Sequence, residues 1–78
     1  MAYQTKDLYF AAALLAAGEK LEGTTQQTGQ THWFFVETLR IQEIEIEWVN
    51  DDLEVPARAY AEAVKNLKNM VFAAREPK

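Results

Sequence analysis

Residues 38–49, TLRIQEIEIEWV, decide the fold, because they admit two structures. Ile44-Glu45-Ile46-Glu47-Trp48 alternates with the period of two that marks a half-buried strand. Counted from Thr38, however, Leu39, Gln42, Glu43, Ile46 and Val49 share one side of a helix. A strand here would complete a three-stranded meander; a helix would leave a two-stranded hairpin flanked by helices. Periodicity alone leaves both readings open.

The residues before this stretch are easier to read. Thr31 to Val36 (THWFFV) is aromatic and β-branched, which suits a well-buried strand. Glu19 to Gln27 is a weaker strand with Leu21 as its only large apolar residue. Between them, Gln27-Thr28-Gly29-Gln30 supplies the glycine that a tight turn uses, so a β-hairpin turning at Thr28-Gly29 joins the two. Farther back, Leu8, Ala11, Ala12 and Leu15 recur at helical spacing. Thr5 suits the N-cap, Asp7 the positive end of the helix dipole, and Gly18 the left-handed residue that closes a helix. The first helix is expected over 6–17.

Beyond residue 49, Asn50-Asp51-Asp52 reads as a turn and Leu53-Glu54-Val55 as a short edge strand. Pro56 fits the first position of a helix, where its missing N–H is no loss. Ala57, Tyr60, Ala61, Val64, Leu67 and Val71 then trace an apolar stripe through a last helix ending near Ala74. The charged end, Arg75-Glu76-Pro77-Lys78, is expected to fray. With 78 residues and neither repeat nor linker, the chain makes one domain, 1–78, with an ordered core over 4–74.

Composition removes several function classes. The sequence has no cysteine and no serine, which takes away disulfides, thiolate metal ligands and the two commonest nucleophiles. One histidine, His32, supports neither a Ser-His-Asp arrangement nor a two-histidine zinc site. Gly18, Gly23 and Gly29 fall into no phosphate-binding pattern. A non-enzymatic protein without cofactor or metal is the expectation. His32 is either a lone base or ligand, or a strand-end histidine with a structural role, and the second reading is preferred. Asp51, Asp52 and Glu54 offer oxygen ligands to a hard cation but lack the offsets of a calcium loop, so a solvated turn is preferred.

No apolar run approaches the roughly 18 to 20 residues that span a bilayer. The longest, Leu8 to Ala17, follows Lys6-Asp7 rather than a basic start, and reads as a core helix rather than a signal sequence. A soluble, cytoplasmic protein is therefore expected.

Charge is polarised along the chain. The net charge of −4 divides into −1 over residues 1–36, −6 over 37–54 and +3 over 55–78. Glu43, Glu45 and Glu47 are either a solvated face or an imitation of a phosphate backbone. Arg58, Lys65, Lys68 and Arg75 fall within about a third of the last helix's circumference. For nucleic acid this is thin in an acidic protein, so pairing with the acidic middle segment is preferred and nucleic acid is an unfavoured partner. The same polarity would also orient two copies into a homodimer. Among the aromatics, helices on one face of the hairpin would expose either Trp33 and Phe35 or Phe34 and Val36, and exposed aromatics concentrate binding energy.

Several stretches together resemble a family of small bacterial and phage domains of unknown function. They are Thr5-Lys6-Asp7-Leu8-Tyr9 with Ala11-Ala12 and Leu14-Leu15-Ala16, the aromatic strand His32 to Val36, and Trp48 with Asn50. Val55-Pro56-Ala57-Arg58-Ala59-Tyr60 and Ala63 to Lys68 complete the pattern, which covers roughly residues 4–72. The Ile-Glu alternation of residues 44–47 departs from it, as does Asp51-Asp52, standing where a glycine-containing turn is expected. The resemblance implies a helix before Trp48 and so favours the helical reading of 38–49. It implies no catalytic residues. It also implies a phage or mobile-element setting, in which many such proteins bind and block host machinery.

The expected fold is α+β, in the order helix–strand–strand–helix–(short strand)–helix, with the hairpin packed on the helices. The expected function is stoichiometric binding of a host protein or complex, with inhibition of a defence system such as CRISPR as its sharpest form. Trp33, Phe35, Glu43, Glu45, Glu47, Asp51, Asp52 and Glu54 are the expected contact residues. The alternative is a nucleic-acid-binding accessory protein that uses the basic face of the last helix.

Overall fold

The computed structural model describes residues 2–75, with the side chains of Ala74 and Arg75 outside the described set. The elements are β1 (Ala2–Thr5), α1 (Leu8–Ala16), β2 (Leu21–Gln27), β3 (Gln30–Val36), α2 (Leu39–Val49) and α3 (Ala57–Arg75). The α+β class is as expected, and so is the sequence of helix, hairpin and two helices. Residues 39–49 form a helix. The charged tail that was expected to fray lies, from Glu76 on, outside the described residues.

Two details of the expected order are corrected. Leu53-Glu54-Val55 is not a strand, since it runs as irregular backbone between α2 and α3. The third strand is Ala2–Thr5, which pairs antiparallel with β3 and places β3 in the centre of a β1-β3-β2 sheet. Thr5 is thereby spent on the sheet. Its hydroxyl accepts the Asp7 N–H at 3.1 Å, and Asp7 is the N-cap of α1, its carboxylate accepting the N–H groups of Tyr9 and Phe10.

Left-handed residues close the hairpin and end α1. Thr28 (φ 49°) and Gly29 (φ 81°) occupy the two central turn positions between the paired Gln27 and Gln30, the arrangement whose twist matches the flanking strands. Gly18 (φ 98°) ends α1, with the N–H of Gly18 donating to Leu15 and that of Glu19 to Leu14. α2 ends in the same hydrogen-bond pattern, Asp51 donating to Trp48 and Asp52 to Glu47, but with Asp51 (φ 62°) at the left-handed position. The glycine that the family resemblance leads one to expect is thus replaced by an aspartate that adopts glycine's conformation. Pro56 sits one place ahead of its expected position: its carbonyl accepts the Tyr60 N–H, and α3 proper begins at Ala57.

All three helices lie on one face of the sheet. Trp33 (2% exposed) and Phe35 (0%) point into that layer, and Tyr3, Thr5 and Leu21 pair with them from the neighbouring strands. α1 runs through the middle, packed on α2, α3 and β1. It is buried from Phe10 to Leu14 without a break, which is how a helix apolar on all sides must sit. Three consecutive alanines let its neighbours approach closely. α3 adds Ala63 and Leu67 with Tyr60, Val64 and Val71 partly buried, whereas Ala57 and Ala61 of the expected stripe are exposed.

Candidate functional site

α2 differs from the other helices in carrying two apolar faces. At 100° per residue, Ile41, Ile44 and Trp48 lie within about 60° of arc, and Leu39, Ile46 and Val49 within about 80° on the opposite side. The first set faces the core: Ile41 and Ile44 are fully buried, and the Trp48 ring lies 5.7 Å from that of Phe10. The second set faces outward, with Leu39 83%, Ile46 62% and Val49 75% exposed. The helical face expected from Leu39, Gln42, Ile46 and Val49 is therefore the solvent face, and the buried one is its opposite. Ile44 and Ile46, two positions apart in the alternating run, end on opposite sides.

Fixed contacts hold this helix in place. Glu19, between α1 and β2, accepts the Thr38 hydroxyl at 2.7 Å and pairs with Arg40 at 3.9 Å. On the far side, the Tyr3 O–H donates to Glu45 over 3.5 Å. Burial first, and the Glu45 carboxylate second, raise the Tyr3 phenol above its ordinary range. Next to that contact is a cleft of about 180 Å³ lined by Tyr3, Phe10, Trp48, Asp7 and Glu45, among others. A second depression, of about 300 Å³, is bordered by Glu45, Ile46, Val49 and Asn50. Glu45 borders both.

Of the eight contact residues expected from the sequence, Glu43, Glu45, Glu47, Asp51, Asp52 and Glu54 are exposed, the first three on α2 and the others at or after its end. Trp33 and Phe35 are corrected: they lie in the core and present no surface to a partner. The period-two pattern requires one pair of the strand to face out, and the helices cover this pair. The outward pair is Phe34, half-buried, and Val36, 41% exposed. Missed by the sequence reading were Leu39, Ile46 and Val49 as surface residues. Their signal was the surplus of apolar positions in 39–49, more than one buried stripe can use.

The remaining candidates separate from this face. His32 lies on the open side of the sheet, where the Gln4 amide N–H donates to its Nδ1 at 2.6 Å, a cross-strand contact between β1 and β3. On α3, Lys68 lies over the Tyr9 ring at 5.9 Å, and Arg58 and Lys65 are exposed. The side chain of Arg75, the fourth of the expected basic stripe, lies outside the described residues. The expected pairing of that stripe with the acidic middle segment is absent among the described residues, where the ion pair found is Arg40 with Glu19. Among the described residues, buried Trp33 Nε1 has no hydrogen-bond partner.

Among the described residues no helix is long and apolar enough to cross a membrane. Neither a curated protein nor a solved structure matches the chain. One family model does, over residues 1–73, and its description is a domain of unknown function, DUF5659. The match takes in every element from β1 to most of α3, and the chain belongs to that family.

Proposed function

We propose that the domain is a non-enzymatic protein-binding module that occupies the surface of a host protein stoichiometrically. The observation that supports this best is the outer face of α2. Leu39, Ile46 and Val49 stand in water on a helix whose opposite face is anchored in the core by Ile41 and Ile44 and which also contacts Glu19 and Tyr3. Keeping three large apolar side chains exposed on one short helix gains the folded monomer nothing, and such patches mark interaction sites. The acidic residues Glu43, Glu45 and Glu47 share the helix and give it a charge to be recognised by. The resemblance to small phage and mobile-element domains extends the reading to the bacterial cytoplasm. There the bound protein would belong to host machinery, of which a CRISPR-type defence complex is an example.

Affinity capture from a bacterial lysate tests the reading when wild type is compared with an Ile46→Asp, Val49→Asp double variant. Both replaced side chains are exposed, so the variant keeps its fold, as circular dichroism will check. The expected result is a protein retained in equimolar amount by the wild type and released by the variant. Identical retention by both forms would remove α2 from the contact.

A further inference from the structure

We infer that the outer face of α2 takes a basic amphipathic helix of its partner, with one lysine or arginine of that helix seated in the cleft between α2 and β1. This rests on the protein-binding reading and adds the chemistry of the occupant. Leu39, Gln42, Ile46 and Val49 succeed one another at spacings of three, four and three, the a and d positions of a helix seam. Such a seam packs against a second helix at a shallow angle, and its 11 residues present about 16 Å of length to it. The depression beside Ile46 and Val49 receives an apolar side chain from the opposing helix.

The flanks fix the sign of the partner's charge. Glu43 and Glu45 occupy the e and g positions beside the seam, with Glu47 farther round. Arg40, the one base of α2, points away and pairs with Glu19. A second copy of α2 laid on this seam would set carboxylates against carboxylates, so self-pairing through it is disfavoured. A helix with lysine or arginine at its own flanking positions is favoured.

The cleft adds a specific anchor. The aromatic residues Tyr3, Phe10 and Trp48 and the carboxylates Asp7 and Glu45 line it, and among the described residues no basic one does. Ring faces and carboxylates are the two groups that attract a cation most strongly. Its 180 Å³ suits a single long side chain. Because Glu45 also borders the seam, a basic residue opposite it reaches the cleft without moving the helix off Ile46 and Val49.

A designed peptide of three heptads tests this, with leucine at a and d and lysine at e and g. Its lysines keep it from pairing with itself, so it needs an acidic seam. The control is the same peptide with glutamate at e and g. By calorimetry with the full chain at low salt, the lysine peptide is expected to bind and the glutamate peptide not. Ile46→Asp should weaken binding at least about tenfold, and about 0.5 M salt should weaken it further. Replacing the lysines by glutamine one at a time should find one position that costs about tenfold against wild type and almost nothing against Glu45→Gln.

Equal binding of both peptides, abolished by Ile46→Asp, would overturn the basic partner while leaving the surface intact. So would a solution dimer that Ile46→Asp splits, which would give the seam to a second copy. A lysine scan with no such position would overturn the seated side chain. Binding of neither peptide would overturn the inference as a whole, and the lysate comparison then decides separately whether α2 binds protein at all.

Discussion

α1 and α2 lie side by side in one helical layer, yet they use their apolar residues in opposite ways. α1 is apolar on every side and buried over its middle; from Phe10 to Leu14 none of its residues reaches solvent appreciably, though Tyr9 in its first turn is 51% exposed. α2 is apolar on two sides and buried on one. In α1 the sequence places alanine where a neighbour must come close, and the sheet, α2 and α3 cover the whole stretch from Phe10 to Leu14. In α2 the isoleucines at 41 and 44 meet the core and the one at 46 meets water. Apolar content therefore measures burial only when the surroundings can absorb it. The surplus is then the best available sign of a surface kept for a partner.

The widest expected separation is between matched truncations on the two kinds of face. Leu14→Ala in α1 and Ile44→Ala in α2 each remove a fully buried side chain and should lower unfolding free energy by about 2–5 kcal/mol. For a domain this small that is a large share of the total. Leu39→Ala and Val49→Ala should change it by less than about 0.5 kcal/mol. Urea denaturation followed by far-ultraviolet circular dichroism reads both. Equal losses at Ile44 and Val49 would break the comparison by showing that α2 is covered on both sides.

A second contrast works in the other direction. Ala12→Leu adds volume where α1 has no room and should cost about 1–3 kcal/mol through overpacking. The same alanine-to-leucine change at exposed Ala61 of α3 should lie within about 0.5 kcal/mol of wild type, since nothing packs there. If Ala12→Leu were tolerated, the close approach of α1 to its neighbours would not be what the alanines serve.

These two helices also mark how far the sequence is legible. α1, the hairpin turn at Thr28-Gly29 and α3 all carry local signals: helical spacing, a turn glycine, a proline before a long apolar stripe. β1 carries none. Ala2-Tyr3-Gln4-Thr5 becomes a strand only because β3 offers it an edge, a decision taken about thirty residues away in the chain. The burial of Trp33 and Phe35 rather than Phe34 and Val36 was undetermined for the same reason, since alternation gives two faces and only tertiary packing chooses between them. For α2 the helix was legible with the help of the family pattern, but its inner face was not, because two apolar stripes compete and the sequence does not mark which one the core will take. The acidic part of the candidate site was legible because charge seeks water without tertiary help.

Smaller effects belong to the turns that set the two helices and the hairpin in place. Thr28 is a β-branched residue at positive φ, where asparagine is far more at ease. Thr28→Asn should raise stability by about 0.5–1 kcal/mol, less whatever is lost with the hydroxyl's 2.7 Å donation to the Gln27 carbonyl. Asp51→Gly at the end of α2 should gain a similar or smaller amount by relieving the same conformation. Thr28 lies far from the α2 seam in the hairpin turn, so for Thr28→Asn peptide binding should be unaltered while the denaturation midpoint rises.

The smallest expected effect lies at high pH, and it again tells the two helices apart. Tyr3 faces the exposed flank of α2 through Glu45, whereas the Tyr60 O–H donates to the Tyr9 carbonyl of α1 over 3.4 Å. Both phenols are raised above the ordinary value, Tyr3 by burial and then Glu45, Tyr60 by burial and then Asp7 and Tyr9. Above about pH 10 the unfolded chain therefore releases phenolic protons that the folded chain keeps. The stabilisation is full below that pH and is lost as pH rises through and beyond it. Because both side chains are partly exposed, solvent screens the effect and the loss should be shallow. Tyr3→Phe and Tyr60→Phe should each flatten part of the alkaline decline in the urea midpoint. Glu45→Gln should act on the Tyr3 share alone, and by less than Tyr3→Phe does, because burial is the larger cause. A Glu45→Gln variant whose alkaline decline matched wild type would mean that Glu45 is directed outward, away from Tyr3, and free for whatever docks on α2.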